Sequence, residues 1–288
     1  MTAMRTSRHP GLRLAPVLAL LCIPLAAQGE PAESRPVEPA LPPAVDLRAE
    51  FDRLGIGPRS QGARPTCSVF TVVSTLELAL ARVRGEGLRL SPEFANRAKN
   101  LVTRRVHDGG FFHDILAGLA REGIVRESAM PYAKRFDPEA KPAIAAELLA
   151  REAAELRAQI GQRLAVRWIK PWSASQKGLD AAQFDAVRRV LANGLAVATG
   201  MAHSRTLVGY RDDEHAPGGG MFLTLDSGLG RYAEVSYEFV RTELFDVFCF
   251  DVLPEPPPPP PAKDDGDGES VSASGNGGSP RPAPRRRP

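Results

Sequence analysis

The stretch that decides the fold of this chain is Ser60-Gln61-Gly62-Ala63-Arg64-Pro65-Thr66-Cys67-Ser68-Val69-Phe70. It places one cysteine at the start of an apolar helical pattern, six residues after Gln61. A second stretch, His203-Ser204-Arg205-Thr206-Leu207-Val208-Gly209-Tyr210, places a histidine at the start of an apolar strand. A helix N-terminus and a neighbouring imidazole are the features that turn a cysteine into a reactive thiolate. Residues 44–253 are therefore predicted to form a cysteine-dependent hydrolase.

Four further motifs accompany these stretches. In chain order they are Val45-Asp46-Leu47-Arg48, Asp108-Gly109-Gly110, Glu122-Gly123-Ile124 with Met130-Pro131-Tyr132, and Leu225-Asp226-Ser227-Gly228. Each motif alone is weak, but their combined order resembles the papain-like cysteine peptidases. The resemblance implies an α+β, two-lobed fold. The cysteine lies on a helical N-terminal lobe, the histidine lies on a C-terminal lobe built on an antiparallel sheet, and the active-site cleft separates them.

The resemblance also implies roles for particular residues. Four would be catalytic: Cys67 as the nucleophile, His203 as the acid and base, Asp226 orienting the imidazole, and Gln61 binding the oxyanion. Five would bind substrate: Gly109, Gly110, Phe111, Phe112 and Ser204. The two glycines would let a substrate backbone approach closely. The phenylalanines and Ser204 would form the main specificity pocket, with a preference for an apolar side chain just upstream of the scissile residue.

The sequence departs from the family at several positions. Ser68 and Gly228 stand where the family has tryptophan, Arg64 stands where it has a second cysteine, and Asp226 replaces an asparagine. The loop before His203 is much shorter than the family's. The missing tryptophans, the shortened loop and the change to Asp226 favour a papain-fold binding or scaffold protein that has lost turnover.

Each site residue also has a structural interpretation. Cys67 could be a buried thiol, and His203 a polar residue in a tight hairpin. Gln61 could be a polar loop residue, and Asp226 a turn residue. Phe111 and Phe112 could both belong to the core.

The ends of the chain have their own composition. Arg5, Arg8 and Arg13 precede an apolar run over 14–27, a pattern typical of a secretory signal peptide, predicted here for residues 1–29. This predicts export to the periplasm or beyond, and a retained N-terminal anchor is the alternative. Residues 30–43 are predicted to be a Pro-rich linker too short for an autoinhibitory prodomain. Residues 254–288 are predicted to be a disordered tail rich in Pro, Gly, Ser and Arg.

Composition excludes several classes of function. The net charge of +3 comes largely from the two ends, and no basic stripe with interleaved aromatic residues points to nucleic acid. No metal-ligand spacing is present, so neither a metal nor a cofactor is expected. Cys249 lies in an apolar run and is predicted to be a buried small hydrophobe. We expect a monomer without a membrane span once the signal is removed, acting on a peptide or protein substrate.

Periodicity predicts helices first and strands second, as in α+β proteins. Helices are expected after Thr66 up to Gly85, over 112–120, over 143–164 and around Phe184 to Leu191. The third would be an insertion whose simplest interpretation is a solvated packing helix. Strands are expected over 164–169, 195–201, 206–211, 221–226, 232–237 and 244–252.

The leading functional hypothesis is an exported thiol peptidase that works through an acyl-enzyme on Cys67. Two alternatives stay open: a papain-fold binding or scaffold protein without turnover, and a cysteine acyl or amide transferase.

Overall fold

The computed structural model describes residues 39–256. The predicted signal peptide, most of the predicted linker and nearly all of the predicted tail lie outside this range. The elements in chain order are β1 (Ala44–Asp46), α1 (Arg48–Arg53), α2 (Cys67–Arg84), α3 (Pro92–Thr103), α4 (Phe112–Glu122), α5 (Ala146–Arg163), β2 (Leu164–Lys170), α6 (Ala181–Ala192), β3 (Val197–Gly200), β4 (Arg205–Asp212), β5 (Gly220–Asp226), β6 (Arg231–Ser236), α7 (Tyr237–Glu243) and β7 (Asp246–Val252). The predicted α+β class is confirmed.

The strands form one antiparallel sheet in the order β2-β7-β3-β4-β5-β6, and β1 pairs with β4. All six strands predicted from the sequence are present within a few residues of their expected bounds. Three helices that periodicity did not predict, α1, α3 and α7, complete the fold. Within residues 39–256, none of the helices combines the length and the apolarity needed to cross a bilayer.

Helix α2 begins at Cys67 and is buried along most of its length. It ends at Gly85, whose left-handed φ of 76° lets its N–H bond back to the carbonyl of Ala81. Thr66 occupies the N-cap position, as expected, but its side chain does not cap the helix. Its hydroxyl instead bonds the Tyr132 hydroxyl at 2.7 Å. No side-chain cap therefore competes for the backbone N–H groups beside Cys67.

Two hydrophobic clusters correspond to the two lobes. One joins helices α2 to α5 to one face of the sheet, and Leu76, Phe112 and Phe248 lie in it. The other joins α1, α6 and α7 to strands β3 to β7, and Phe184 and Phe222 lie in it. Helix α2 also contributes to the second cluster, so it is shared by both lobes.

Helix α5 matches the packing helix predicted over 143–164. Ala153 and Leu156 are its buried residues, and they pack in the helical cluster, while most of its other side chains are exposed or half-buried.

Candidate active site

The fold brings Cys67 and His203 together from distant parts of the sequence. Cys67 is the first residue of α2, and His203 lies in the turn between β3 and β4, two residues before β4 begins. Their side chains are hydrogen-bonded to each other. The Nε2 atom of His203 lies 2.7 Å from Oδ1 of Asp226. The imidazole therefore interacts with both the thiol and the carboxylate.

The electrostatics of this pair favour its charged form. Burial disfavours ionisation of the Cys67 thiol, but hydrogen bonds from His203 and from the backbone at Ser204 and Ser68 outweigh it and lower its pKa. The hydrogen bond to Cys67 raises the pKa of His203, and Asp226 adds to this effect, while burial and the charge of Arg205 oppose it. The two shifts have the direction that stabilises a thiolate–imidazolium pair.

Asp226 closes β5 and is 1% exposed. Its Oδ1 accepts from His203 and, at 3.0 Å, from the backbone N–H of Leu229, while Oδ2 accepts from Nε of Arg205 at 2.8 Å. Burial raises the pKa of this carboxyl, but the donors more than compensate and lower it overall. Arg205, which sequence reasoning missed, thus pairs with the carboxylate that faces the imidazole.

Gln61 lies in the loop before α2 and is buried. Its side-chain Nε2 donates to the carbonyl of Arg64 at 2.8 Å, and its Oε1 accepts from the Ser227 hydroxyl at 2.7 Å. The carbonyl acceptor and the hydroxyl donor fix the orientation of the amide. Within residues 39–256, the second N–H of this Nε2 has no acceptor.

Gly109 and Gly110 lie in the loop before α4, and both have positive φ. A side chain at Gly109 would begin 2.3 Å from the carbonyl oxygen of Pro65, so the loop can lie against the start of α2 only because this residue is glycine. Asn96 accepts the N–H of Gly109 at 3.1 Å.

A cavity of about 430 Å³ is lined by Ser68 and Ser204, the residues that follow Cys67 and His203 in the chain. Four of the five predicted substrate-binding residues line it: Gly110, Phe111, Phe112 and Ser204. Phe111 is 48% exposed, whereas Phe112 is buried and packs edge-on against Phe248. Phe112 is thus both a core residue and a wall of the cavity. Asp246, which sequence reasoning did not single out, also lines it.

The departures from the family pattern have local explanations. Ser68 lines the cavity. A Cβ atom at Gly228 would lie 2.8 Å from Cε1 of His203, so glycine leaves the imidazole its place. Arg64 is 4% exposed and binds Asp108 in a bidentate pair, at 3.0 and 2.7 Å, and also Glu93. It links the Gln61–Cys67 loop to the loop that carries Gly109 and Gly110.

In the described part of the chain, Cys249 and the acidic side chains form no second candidate site. Cys249 is buried and free, and burial raises the pKa of its thiol to about 12. Among residues 39–256, no group of three His, Cys, Asp or Glu side chains is placed to hold a metal ion.

Comparisons with known proteins found similarity in structure and none in sequence. No protein-family profile matches the sequence, and no curated protein matches it either. Digestive procathepsin L 3 of Tenebrio molitor larval midgut is similar, with a TM-score of 0.54 and 15% identity over 74% of this chain and 70% of that one. Xylellain, a cysteine protease from Xylella fastidiosa, gives a TM-score of 0.54 and 17% identity over 75% of this chain and 88% of that one.

The Amb a 11 cysteine protease of ragweed pollen, in its proform, gives a TM-score of 0.53 and 18% identity. That match covers 73% of this chain and 65% of the other. At identities this low, the structural similarity shows the fold alone. The chain has the fold of the papain-like cysteine proteases, in a divergent form.

Proposed function

We propose that this protein is an exported thiol peptidase that hydrolyses peptide bonds through an acyl-enzyme on Cys67. The observation that carries the proposal is the continuous hydrogen-bonded row of Cys67, His203 and Asp226 at the start of α2. Export rests on the predicted signal peptide alone. A peptide or protein substrate follows from the fold of the similar proteases.

In the first half-reaction the Cys67 thiolate attacks the carbonyl carbon of the scissile bond, and the carbonyl oxygen becomes an oxyanion. The free N–H of the Gln61 amide and the backbone N–H of Cys67 are the donors proposed for this oxyanion. The His203 imidazolium then protonates the leaving amine as the C–N bond breaks. The product of this step is a thioester on Cys67 and a neutral imidazole.

In the second half-reaction neutral His203 removes a proton from water, and the resulting hydroxide attacks the thioester carbonyl. The C–S bond breaks, the carboxylic acid leaves, and the thiolate–imidazolium pair is restored. Asp226 keeps the imidazole in one orientation throughout. No step needs an oxidant, a reductant or a metal.

The proposal is tested by treating the purified chain from residue 30 onward with a peptidyl epoxide, mapping the adduct, and assaying hydrolysis of a peptide library. We expect a single adduct on Cys67 and hydrolysis that Cys67→Ala abolishes. Cys249→Ala is the matched control: it should cost some stability and leave turnover unchanged, because that thiol is buried away from the cleft.

The same experiment separates the alternatives. Neither an adduct nor hydrolysis would favour a scaffold protein. An adduct on Cys67 together with amide products in the presence of added amines, and little hydrolysis, would favour a transferase.

A further inference from the structure

The loop that leads into α2 carries both donors proposed for the oxyanion, one at each end. The side-chain amide of Gln61 lies at its start, and the backbone N–H of Cys67 lies at its end. Both donors have to reach the same oxygen atom, at about 2.7–3.1 Å from it. The contacts that fix the separation of the two ends of this loop therefore bear directly on the reaction.

The hydroxyl of Tyr132 contacts both ends of the loop. It donates to the backbone carbonyl of Gln61 at 3.0 Å, and it lies 2.7 Å from the hydroxyl of Thr66, the residue before Cys67. A phenol has one proton to donate. Because that proton goes to the Gln61 carbonyl, the Thr66 hydroxyl is the donor to the tyrosine oxygen. A single hydroxyl thus connects residue 61 to residue 66.

Tyr132 is itself held in place by its neighbours. Its ring packs edge-on against Phe70 of α2, with the ring centroids 4.8 Å apart, and the guanidinium of Arg64 lies 4.5 Å from its centroid. Arg64 also donates to the carbonyl of Ala133 at 2.8 Å. Burial raises the pKa of Tyr132, so the hydroxyl keeps the proton that it donates. The bridge across the loop is therefore anchored to the helix that begins at the nucleophile.

We propose that Tyr132 is a positioning residue for the reaction: its hydroxyl sets the separation of the Gln61 amide and the Cys67 N–H, the two donors proposed for the oxyanion. Tyr132 acts only through the loop between these donors. The inference rests on the proposed peptidase function and adds to it a residue outside the row of Cys67, His203 and Asp226.

The test replaces Tyr132 by phenylalanine, which removes the hydroxyl and keeps the ring that packs on Phe70. We expect kcat for peptide hydrolysis to fall about tenfold while KM stays nearly unchanged, because the affected contact forms only with the oxyanion. The loss should be smaller than the roughly 10²–10³-fold loss that follows removal of a whole oxyanion donor.

Two reagents separate the oxyanion donors from the thiolate. A peptide aldehyde should bind the Tyr132→Phe protein about tenfold more weakly, because the Cys67 thiolate adds to its carbonyl carbon and leaves a negative charge on the oxygen. Iodoacetamide should alkylate Cys67 at an unchanged rate, because the thiolate displaces iodide from a saturated carbon and no oxyanion forms. A purely structural role of the hydroxyl would not produce this difference.

Tyr210→Phe is the matched control. The Tyr210 hydroxyl also donates to a backbone carbonyl, that of Pro42 at 2.9 Å, and the guanidinium of Arg188 lies 4.6 Å from its ring centroid. Its removal should lower the urea midpoint of unfolding as Tyr132→Phe does, but leave kcat and the aldehyde affinity unchanged.

A double substitution shows whether Tyr132 acts through the Gln61 amide. Gln61→Ala removes the side-chain donor and keeps the backbone carbonyl that Tyr132 binds. With only one donor left, the separation of the two no longer matters. Adding Tyr132→Phe to the Gln61→Ala protein should therefore lower kcat by less than about threefold.

Three results would overturn the inference: full kcat and full aldehyde affinity in the Tyr132→Phe protein, a tenfold loss that persists in the Gln61→Ala protein, or alkylation slowed as much as hydrolysis. The last would mean that the hydroxyl supports only the structure around the thiolate. Failure of the peptidase proposal has a different signature, since the unsubstituted protein then gives no epoxide adduct on Cys67 and no hydrolysis. That outcome overturns both.

Discussion

The Asp226 carboxylate accepts hydrogen bonds from two basic side chains, His203 and Arg205. One of its oxygens faces His203 and the other faces Arg205, at 2.7 and 2.8 Å. A free carboxylate would stabilise the imidazolium strongly, but the guanidinium neutralises part of that charge. The Asp226–Arg205 pair therefore presents to the imidazole a hydrogen-bond acceptor with much of its charge compensated.

Replacing Arg205 and replacing Asp226 should shift the pKa of His203 in opposite directions. Arg205→Met removes a positive charge that lowers the pKa of His203, so the basic limb of the pH–rate profile should move to higher pH. Asp226→Asn removes the carboxylate that raises it, so the limb should move to lower pH, by on the order of one unit. NMR titration of the His203 ring reports both shifts without turnover. Identical titration in all three proteins would show that Asp226 is only a turn residue.

The sequence pointed to Cys67 and to the residues predicted to act with it. It did not point to the charged residues Arg205 and Asp246. Cys67 and His203 carry local signals, a helix start and a strand start. Arg205 and Asp246 carry none, because each sits in a strand-like stretch where nothing in the sequence tells an inward-facing charge from a solvated one. Only the packing of β3, β4 and β7 shows that Arg205 pairs with Asp226 and that Asp246 faces a cavity.

At the scale of elements, a buried ion pair connects α2 to the loop that carries Gln61. Glu77 is fully buried in α2, and its Oε1 accepts from Arg59 and from the backbone N–H of Leu90, both at 2.7 Å. Arg59 also donates to the carbonyl of Leu90 at 2.9 Å. The loop before Cys67 is thereby held against the helix that Cys67 begins.

Removing one partner of this pair should be costly. Glu77→Ala leaves the largely buried Arg59 with Glu127 as its remaining carboxylate partner and removes the acceptor of the buried N–H of Leu90, so we expect the free energy of unfolding to fall by about 2 kcal/mol. Glu86→Ala is the matched control, because that carboxylate is 68% exposed and its pair with Arg84 should contribute less than about 1 kcal/mol. Urea denaturation measures both. An equal decrease in the free energy of unfolding in the two variants would show that Glu77 does not hold the loop against α2.

Helix α3 shows why the hydrophobic periodicity of the sequence did not predict every helix. Its buried face mixes apolar residues with Glu93, Asn96 and Lys99, so polar groups interrupt the apolar stripe that would mark it as a helix. These polar groups are satisfied by the surrounding loops: Glu93 by Arg64, Asn96 by Asp108, and Lys99 by the carbonyl of His107. The start signal, Ser91 followed by Pro92, was present, and Ser91 does cap the helix by accepting from the N–H of Phe94.

At the scale of the whole molecule, the two lobes share α2 and the central strands of the sheet. Residues of α2 lie in both hydrophobic clusters, and so do residues of β3 and β7. Neither lobe can lose its core without exposing apolar surface of the other. Unfolding of residues 39–256 should therefore be a single cooperative transition.

This cooperativity is tested with one leucine from each cluster. Leu76 and Leu207 are both fully buried, the first in the helical cluster and the second in the other. Replacing either by alanine should lower the free energy of unfolding by about 2–5 kcal/mol and move one shared calorimetric peak to lower temperature. Two peaks, of which each variant moves only one, would mean that the lobes unfold independently.

The cluster around Arg64 has a consequence for redox conditions. A thiol nucleophile works only while it is reduced, and reductants that protect it break any disulfide that holds the fold. Here Cys67 and Cys249 are both free, and the link between the two loops at the cleft is made by Arg64 with Glu93 and Asp108. The melting temperature should be the same with and without dithiothreitol, while activity should rise when it is present. For residues 39–256, the conditions that keep Cys67 reduced therefore leave the loops around it in place.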